Sequence, residues 1–374
     1  MFKTDEVDGA RSRHRNVPQW LSFVRHHEGV PSAMQPTIIG LDLAKHVFQV
    51  HGAAADGQVV LRRQVRRSEL LRFFRALPPC LVGMEACASA HYWARQLSAL
   101  GHTVRLMPAT FVKPYAKRGK SDAIDAEAIC EAVTRPTMRF VPIKSVEQQS
   151  VVMLHRTRDL LVRQRTMLVN ALRGHLGEFG VIGPKGISRL PDLLALASST
   201  PVCELPDLAR ECIELLLAQI EDLQRRVSMI DRSITEWHRT NDVSRRLQTI
   251  PGVGVISATA IAALVADAGT FRSSRQFAAW IGLAPRLSGT GGKVQLGRIS
   301  KAGNRYLRRL LTLGATSLVH YARRSPQKWA WITALLARRP TRVVITAVAN
   351  KLARIIWAVL GSGESFHRSQ AAAA

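Results

Sequence analysis

The alternation of apolar and polar residues predicts a β-hairpin early in the chain, followed by strands that alternate with helices. The hairpin covers residues 37–50, and Asp42 lies on its first strand. Further apolar runs predict three more strands, at residues 59–65, 80–84 and 103–107. An antiparallel hairpin followed by this alternation is typical of the RNase H-like architecture. We therefore expect an α/β domain of this class, RuvC-like, over residues 35–144.

The middle of the chain has a helical pattern. Residues 145–180 predict one long basic helix, and the Gly-, Pro- and Ser-rich residues 181–207 predict a linker. Apolar residues then recur alternately three and four apart, at Ile213, Leu216, Ile220, Leu223, Val227, Ile230, Ile234 and Trp237. This spacing predicts a coiled coil and favours self-association by a small margin over an amphipathic helix packed within its own chain. We expect residues 145–240 to form a helical linker and coiled coil.

Residues 241–362 predict a second, mainly α-helical domain. A Pro-Gly-Val-Gly segment before an apolar helix resembles a helix-hairpin-helix turn, in which the N–H groups of Gly252 and Gly254 would grip a phosphate. The Gly-rich residues 284–303 predict a permissive loop that can wrap round a nucleic-acid backbone, and Ser300 is expected to cap the helix after it. Outside the domains, residues 1–34 predict a disordered basic arm, or Met34 is the true start, and residues 363–374 predict a disordered tail.

The charge balance indicates a polyanionic partner. Lys and Arg total 53 against 27 Asp and Glu, a formal net charge of +26. A membrane-surface protein would need an amphipathic anchor, and the arginines are instead spread over the whole length. Five widely spaced cysteines without a C-x-x-C pair argue against a disulfide framework or zinc site and fit the cytosol. No uninterrupted apolar run is long enough to predict a transmembrane helix.

Four carboxylates stand where metal-dependent chemistry would need them. Asp42 interrupts an apolar strand, and Glu85 ends the strand of residues 80–84. Asp122 and Asp125 are three apart at a predicted helix start, so both lie on one helix face. For Asp122 or Asp125 taken alone, the plain explanation is an acid that the helix dipole favours at a helix N-terminus. Acids at the first strand, at the later strand and at the helix start together predict a site for two Mg²⁺ ions of the nuclease type. Glu127 points to a different face.

Basic residues of the long helix and of the second domain are candidate nucleic-acid contacts. A solvated helix face is the plain alternative, but the charge is nearly all positive and would repel itself without an anion against it. The candidates are Arg156, Arg163, Arg165, Lys293, Arg298, Lys301, Arg305, Arg308 and Arg309.

These motifs together resemble transposases of the Piv/MooV-related insertion-sequence family, over nearly all of residues 37–361. The motifs that carry the resemblance are Gly-Leu-Asp42-Leu-Ala-Lys, Gly-Met-Glu85-Ala, Lys120-Ser-Asp122-Ala-Ile-Asp125-Ala, Ile250-Pro-Gly-Val-Gly and the Gly297–Arg308 run, GRISKAGNRYLR. The resemblance implies a RuvC-like DEDD domain with Mg²⁺ at the four acids, and a separate carboxy-terminal transposase domain. It also implies DNA as substrate, a structured guide RNA and a serine that bonds covalently to DNA.

The position of that serine departs from the family pattern. Family members carry it just before a Gly-Gly-Lys, and in this chain a count back from Ser300 leads to Gly289. Ser288 is one residue earlier and is our choice of nucleophile; Thr290, one residue later, is second. We expect a transposase that acts as a homo-oligomer, a dimer or tetramer, without membrane association. The rivals are a RuvC-like structure-specific nuclease that uses only the acids, and a catalytically decayed copy that only binds nucleic acid.

Overall fold

The computed structural model of the chain describes residues 35–117, 119, 121–199, 205–265 and 267–367. The chain forms two compact units that divide between Arg139 and Phe140. The first is a mixed α/β unit, and the second is mostly helical. The predicted arm at residues 1–34 and the last seven residues of the predicted tail, 368–374, lie outside the described residues.

The first unit is built on a five-stranded sheet. Its strands are β1 (Ile38–Asp42), β2 (Val47–Ala53), β3 (Val59–Arg66), β4 (Leu81–Glu85) and β5 (Thr103–Met107), in the order β3-β2-β1-β4-β5. The first three strands are antiparallel, whereas β4 and β5 run parallel to β1. The mixed α/β class is as predicted, and this strand order is consistent with the RNase H-like architecture.

Helices pack on both faces of this sheet. They are α1 (Leu70–Arg75), α2 (Ala90–Ala99), α3 (Ala109–Val112) and α4 (Asp122–Val133). On one face Phe48 of β2 meets Trp93 of α2 edge to face, with ring centroids 5.3 Å apart. On the other face lies α4. Because side chains alternate along a strand, Ile39 and Leu41 point to the first face and Gly40 points to α4.

Two glycines let α4 approach the sheet closely. Gly40 of β1 and Gly83 of β4 are partners in the parallel register. A Cβ on Gly40 would lie 2.1 Å from the carbonyl oxygen of Ala126, and one on Gly83 would lie 2.8 Å from the Cβ of Val133. The helix therefore rests directly on the backbone of the two central strands, which fixes its first turn relative to their ends.

The second unit begins with two long helices that lie antiparallel. These are α5 (Val146–Glu178) and α7 (Asp207–Thr240), and between them lies the short α6 (Leu190–Ser199). A capping box formed by Ser145 and Gln148 starts α5. Trp237 donates a hydrogen bond to Glu147 at 2.6 Å, and Arg158 contacts Asp231 further along. The predicted linker at 181–207 thus contains a helix that its composition did not indicate.

The apolar heptad positions of α7 pack against the rest of the same chain. Ile213, Ile220, Val227 and Ile234 are buried, whereas the intervening Leu216, Leu223, Ile230 and Trp237 are half-buried. The contacts of Trp237 with Glu147 and of Asp231 with Arg158 show that α5 packs along this helix. The pattern is therefore accounted for by an amphipathic helix packed on its own chain, the alternative to a coiled coil between copies.

The rest of the second unit is a helical core with one hairpin. Its elements are α8 (Asp242–Gln248), α9 (Val255–Leu264), α10 (Ser274–Ile281), β6 (Pro285–Thr290), β7 (Lys293–Ile299), α11 (Arg305–Arg324), α12 (Ala330–Leu336) and α13 (Thr341–Ser362). Helix α13 is long and apolar enough to cross a membrane, but 44% of its most apolar window is buried in the protein. Val348, Leu352 and Ile356 place it in the core with α9 and α11.

Two predictions about the Gly-rich segment were wrong. Residues 285–299 form a β-hairpin rather than a loop, because Gly291 and Gly292 adopt φ of +57° and +79° and make the tight turn that strands of this twist need. Ser300 does not cap α11. Asn304 does so, and its side chain accepts hydrogen bonds from the N–H groups of Tyr306 and Leu307 at 2.9 and 3.1 Å.

Candidate active site and nucleic-acid surface

The four predicted acids come from three elements that meet at one end of the sheet. Asp42 ends β1 and Glu85 ends β4, and the register Leu41 to Met84 makes these carboxyl ends neighbours. Asp122 and Asp125 lie in the first turn of α4, the helix that rests on Gly40. The side chain of Ser121 accepts a hydrogen bond from the Ile124 N–H and sets the start of that helix. Local capping and close packing together therefore position the acids.

These carboxylates interact electrostatically. Burial, and then the charges of Asp122, Asp125 and Glu85, raise the pKa of Asp42 from 3.8 to about 6. Burial and the charge of Asp125 raise the pKa of Glu85. The neighbouring acids thus disfavour ionisation of Asp42 and Glu85, which is the situation that a bound cation relieves.

The donor set has the chemistry of a divalent-cation site. Asp42, Glu85, Asp122 and Asp125 would hold the ion with carboxylate oxygens, the ligands that Mg²⁺ prefers. Within the part of the chain that the structure describes, no group of three or more His, Cys, Asp or Glu side chains is already placed as a set of metal ligands.

Glu127 is used for a different purpose from the four acids. It pairs with Lys117, and Arg62 of β3 lies 4.0 Å away. The hydrogen bond from Lys117 holds the pKa of Glu127 below its usual value. This ion pair ties the segment before α4 to the helix, a positioning role that spacing alone did not indicate.

Ser288 and Thr290 lie on one face of the exposed hairpin. They are two apart on β6, where Ser288 is opposite Gln295 and Thr290 is opposite Lys293. The opposite face carries the exposed apolar side chains of Leu287, Val294 and Leu296. Both hydroxyls are exposed, so either can reach a substrate that lies along the polar face.

The predicted basic contacts fall into two groups. Exposed side chains are those of Arg156, Arg163, Lys293, Arg298, Lys301 and Arg305. Other guanidinium groups contact the protein itself: Arg165 contacts Gln224, and the exposed Arg309 pairs with Asp159 and lies over the Tyr306 ring. Among the exposed group, Arg163 also lies 3.6 Å from Asp159. Arg158, which the sequence does not distinguish from Arg156, pairs with Asp231.

Arg308 closes a clamp at the base of the hairpin. Its guanidinium donates to the carbonyl oxygens of Ile281 and Ala302 at 2.8 and 2.9 Å. The N–H of Ser300 donates to Ala284 at 2.8 Å. Much of the Gly297–Arg308 run therefore serves to join the hairpin to α10 and α11.

In the Pro-Gly-Val-Gly turn, one glycine packs against the protein and the other has free space around its Cα. Gly252 has φ of +84° and packs against α11, where a Cβ on Gly314 would lie 2.1 Å from the Gly252 carbonyl oxygen. A Cβ on Gly254 would meet nothing within 4 Å, and Gly254 is exposed at the start of α9. Gly254 is the position that leaves room for a phosphate.

A buried polar network that the sequence did not indicate fastens α5 to the helical core. His155 is 2% exposed, and its ring nitrogens lie 3.0 Å from the hydroxyls of Tyr306 and Thr259. Burial, and then the charge of Arg158, lowers the pKa of His155 to about 4, so it stays neutral near pH 7. This network holds Tyr306, and with it the start of α11, against α5.

Comparisons with known proteins identify the family. The family described as "Transposase IS116/IS110/IS902 family" matches residues 244–330, and a DEDD transposase family of the IS110 type matches residues 39–180. A probable family 20 transposase of Pseudomonas aeruginosa is 51% identical over 88% of this chain and 98% of its own length. The chain belongs to the IS110/IS116 family of insertion-sequence transposases.

Other relatives agree over similar lengths. The transposase for insertion sequence element IS1328 of Yersinia enterocolitica is 40% identical over 89% of this chain and 99% of its own. The transposase for IS1111A of Coxiella burnetii is 38% identical over 88% and 91%. The protein is thus a DNA transposase with DNA as its substrate, and its DEDD family is consistent with use of a divalent metal.

Proposed function

We propose that this transposase cuts and rejoins DNA with two Mg²⁺ ions at Asp42, Glu85, Asp122 and Asp125 and with Ser288 as nucleophile. The observation that carries the proposal is the meeting of four carboxylates from three elements, with the pKa of Asp42 raised to about 6. We assign the carboxylate chemistry to residues 35–144 and the nucleophile to residues 241–362, joined by the helices of 145–240.

The reaction is a phosphoryl transfer to serine. The Ser288 hydroxyl loses its proton, its oxygen bonds to phosphorus, and the bond to one deoxyribose oxygen breaks as that oxygen takes up a proton. A second attack by a deoxyribose hydroxyl on the phosphoserine reverses these changes and rejoins DNA. A bound divalent cation supplies Lewis acidity that polarises the phosphate.

The hairpin by itself cannot activate its serine. Residues 285–299 contain no His, Asp or Glu, and their charged groups are Arg286, Lys293 and Arg298. A serine hydroxyl is a weak nucleophile until a base accepts its proton. Because the hairpin offers cations for the phosphate but no base, a group outside the hairpin must accept the proton of the serine.

Guidance by a structured RNA and action as a homo-oligomer complete the proposal. Both come from the family resemblance, and the net charge of +26 is suited to binding RNA and DNA together. We place the protein in the bacterial cytosol with its DNA. Activity that survives removal of the element's RNA by ribonuclease would contradict the guidance, and a monomer in the active complex by mass photometry would contradict the oligomer.

A covalent adduct tests the chemistry directly. Full-length protein, the RNA of its element, Mg²⁺ and a target duplex should give a protein–DNA adduct that resists denaturation. Trypsin cuts after Arg286 and Lys293, so the adduct should map to the peptide Leu287–Lys293, which contains both candidate hydroxyls. Fragmentation in the mass spectrometer then places the nucleotide on Ser288 or Thr290.

Matched variants separate the possible outcomes. Ser288→Ala and Asp42→Ala should each abolish the adduct, whereas Thr290→Ala should retain it; loss only in Thr290→Ala would move the nucleophile. Metal-dependent cleavage that persists in Ser288→Ala without any adduct would favour the structure-specific nuclease. Binding without cleavage in every form would favour a decayed copy.

A further inference from the structure

A cavity of about 270 Å³ opens in the second unit and plays no part in the chemistry above. Its walls include three aromatic side chains, those of Trp329, Trp331 and Phe366, and two cations, Lys328 and Lys351. Its floor is the apolar core, where Ile332 and Leu352 are 2% and 3% exposed. The cavity thus combines flat aromatic walls, a dry floor and positive charge.

Trp331 is the unusual member of this lining. Its side chain is 43% exposed, and the Nζ of Lys351 lies 4.9 Å from the centre of its ring. The ammonium group lies over one face of the ring, and the exposed part of the tryptophan is suited to stack on a flat heteroaromatic ring whose attached phosphate the ammonium would attract. Pockets for drug-sized ligands measure roughly 300–1,000 Å³. This cavity of about 270 Å³ is slightly smaller, which matches a single small ring system.

The cavity adjoins the Pro-Gly-Val-Gly turn. Ile250 and Pro251 line it, and the exposed Gly254 lies three residues further at the start of α9. A backbone amide turn and an aromatic cavity side by side offer one place for a phosphate and one for its base. We propose that this cavity holds an unpaired base of the DNA substrate.

The proposal rests on DNA binding by this transposase but not on its nucleophile. Exchange of DNA strands requires that base pairs open, and an opened base loses its stacking partner. Stacking on an aromatic side chain replaces that partner for any base, so the cavity would stabilise an open strand without reading its sequence. Trp331 is therefore a binding residue for the open DNA, and Lys351 assists it.

A binding measurement in EDTA tests the proposal independently of catalysis. The probes are a duplex with one unpaired deoxynucleotide and the same duplex fully paired, each read by fluorescence anisotropy. Trp331→Ala should weaken binding of the first roughly tenfold and leave the second within about twofold. Trp331→Phe should keep most of the affinity, and Tyr321→Ala, an aromatic side chain that is 59% exposed on α11, should change neither.

A photochemical crosslink locates the base. With 5-iododeoxyuridine as the unpaired nucleotide, irradiation should label the tryptic peptide Trp329–Arg338, which contains both tryptophans. Equal losses for both duplexes in Trp331→Ala, or a label elsewhere, would overturn the proposal. Tighter DNA binding by a chain truncated after His367 would also overturn the proposal, because the chain's own terminus would then be the occupant. A preference for the unpaired nucleotide that is found only with an RNA probe would overturn it as well.

Discussion

Asp42 shows how one side chain can be unfavourable for the fold and still be useful. Its carboxylate is partly buried at the end of β1 and faces three other acids, so its pKa is raised to about 6. Such a group destabilises the metal-free protein when it is ionised and gains most when a cation arrives. A fully solvated acid is already stable as a free carboxylate, so it would gain less stability when the same ion binds.

The pH dependence of stability should reveal this crowding. The folded chain holds the Asp42 proton more tightly than the unfolded chain does, so the free energy of unfolding should fall as pH rises from about 4 to 6. In EDTA at pH 8, Asp42→Asn should therefore raise that free energy by about 1–3 kcal/mol, and at pH 4 it should change little. Urea titration read by hydrogen exchange of β1 and β4 peptides measures the effect.

Addition of Mg²⁺ gives the control. Wild type should gain stability at pH 8, and Asp42→Asn should gain much less, because the ion has lost one carboxylate. If the variant is no more stable than wild type at pH 8 in EDTA, the four acids do not crowd one another.

At the scale of elements, the seating of α4 on β1 and β4 decides the geometry of the site. The helix carries two of the four acids, and bare backbone at Gly40 and Gly83 sets its distance from the sheet. A glycine in the middle of an apolar strand is a visible signal of close backbone approach. The sequence of the strand did not indicate which element would pack against this glycine.

Substitution of Gly40 should therefore remove activity through the fold. In Gly40→Ala the new Cβ would lie 2.1 Å from the Ala126 carbonyl oxygen and 2.4 Å from the Cys130 nitrogen, both rigid backbone atoms. We expect a loss of about 1–3 kcal/mol in the free energy of unfolding and a lower adduct yield, because α4 must move away from β1. Urea unfolding and the adduct assay measure both.

Gly174→Ala is the matched control, because a Cβ there would meet nothing within 4 Å and alanine favours the interior of α5. The control should be at least as stable as wild type. Gly40→Ala with unchanged stability and adduct yield would show that α4 does not depend on this contact.

At the scale of the whole molecule, the net charge of +26 is divided between two uses. Some arginines hold the fold, as Arg158 does with Asp231 and Arg308 does with the Ile281 carbonyl. Others face the solvent, such as Arg156. Total charge predicted a polyanionic partner correctly, but it could not separate the arginines that bind DNA from those that bind the protein itself.

Arg156 and Arg158 separate these uses within one helix. Arg156→Ala should weaken DNA binding and reduce the slope of log K against log salt by about 1, with unchanged stability, since it loses one phosphate contact. Arg158→Ala should lower the free energy of unfolding by about 1–2 kcal/mol and leave the slope unchanged, because it strands the half-buried Asp231. Anisotropy at several salt concentrations and urea unfolding provide the measurements; a reversed pattern would contradict this assignment.

Local pattern determined most of the elements. The hairpin with Asp42, the strand that ends at Glu85, the start of α4 and the two long helices all follow from periodicity and capping, which act over a few residues. The β-hairpin at 285–299 was missed because its glycines were read as a flexible loop rather than as a turn between two strands. Helix α6 was hidden for the same reason, within a segment rich in Gly, Pro and Ser.

What the sequence by itself determined is the set of chemical groups: four acids, two candidate hydroxyls, an excess of arginine and the family to which they belong. Only the tertiary structure decided their use. It packed the heptad of α7 on α5, engaged Arg308 and Arg309 in contacts with the protein itself, and raised the pKa of Asp42 by bringing distant carboxylates near. The physical reason is that burial and charge interaction depend on distance in space, which chain order alone does not specify.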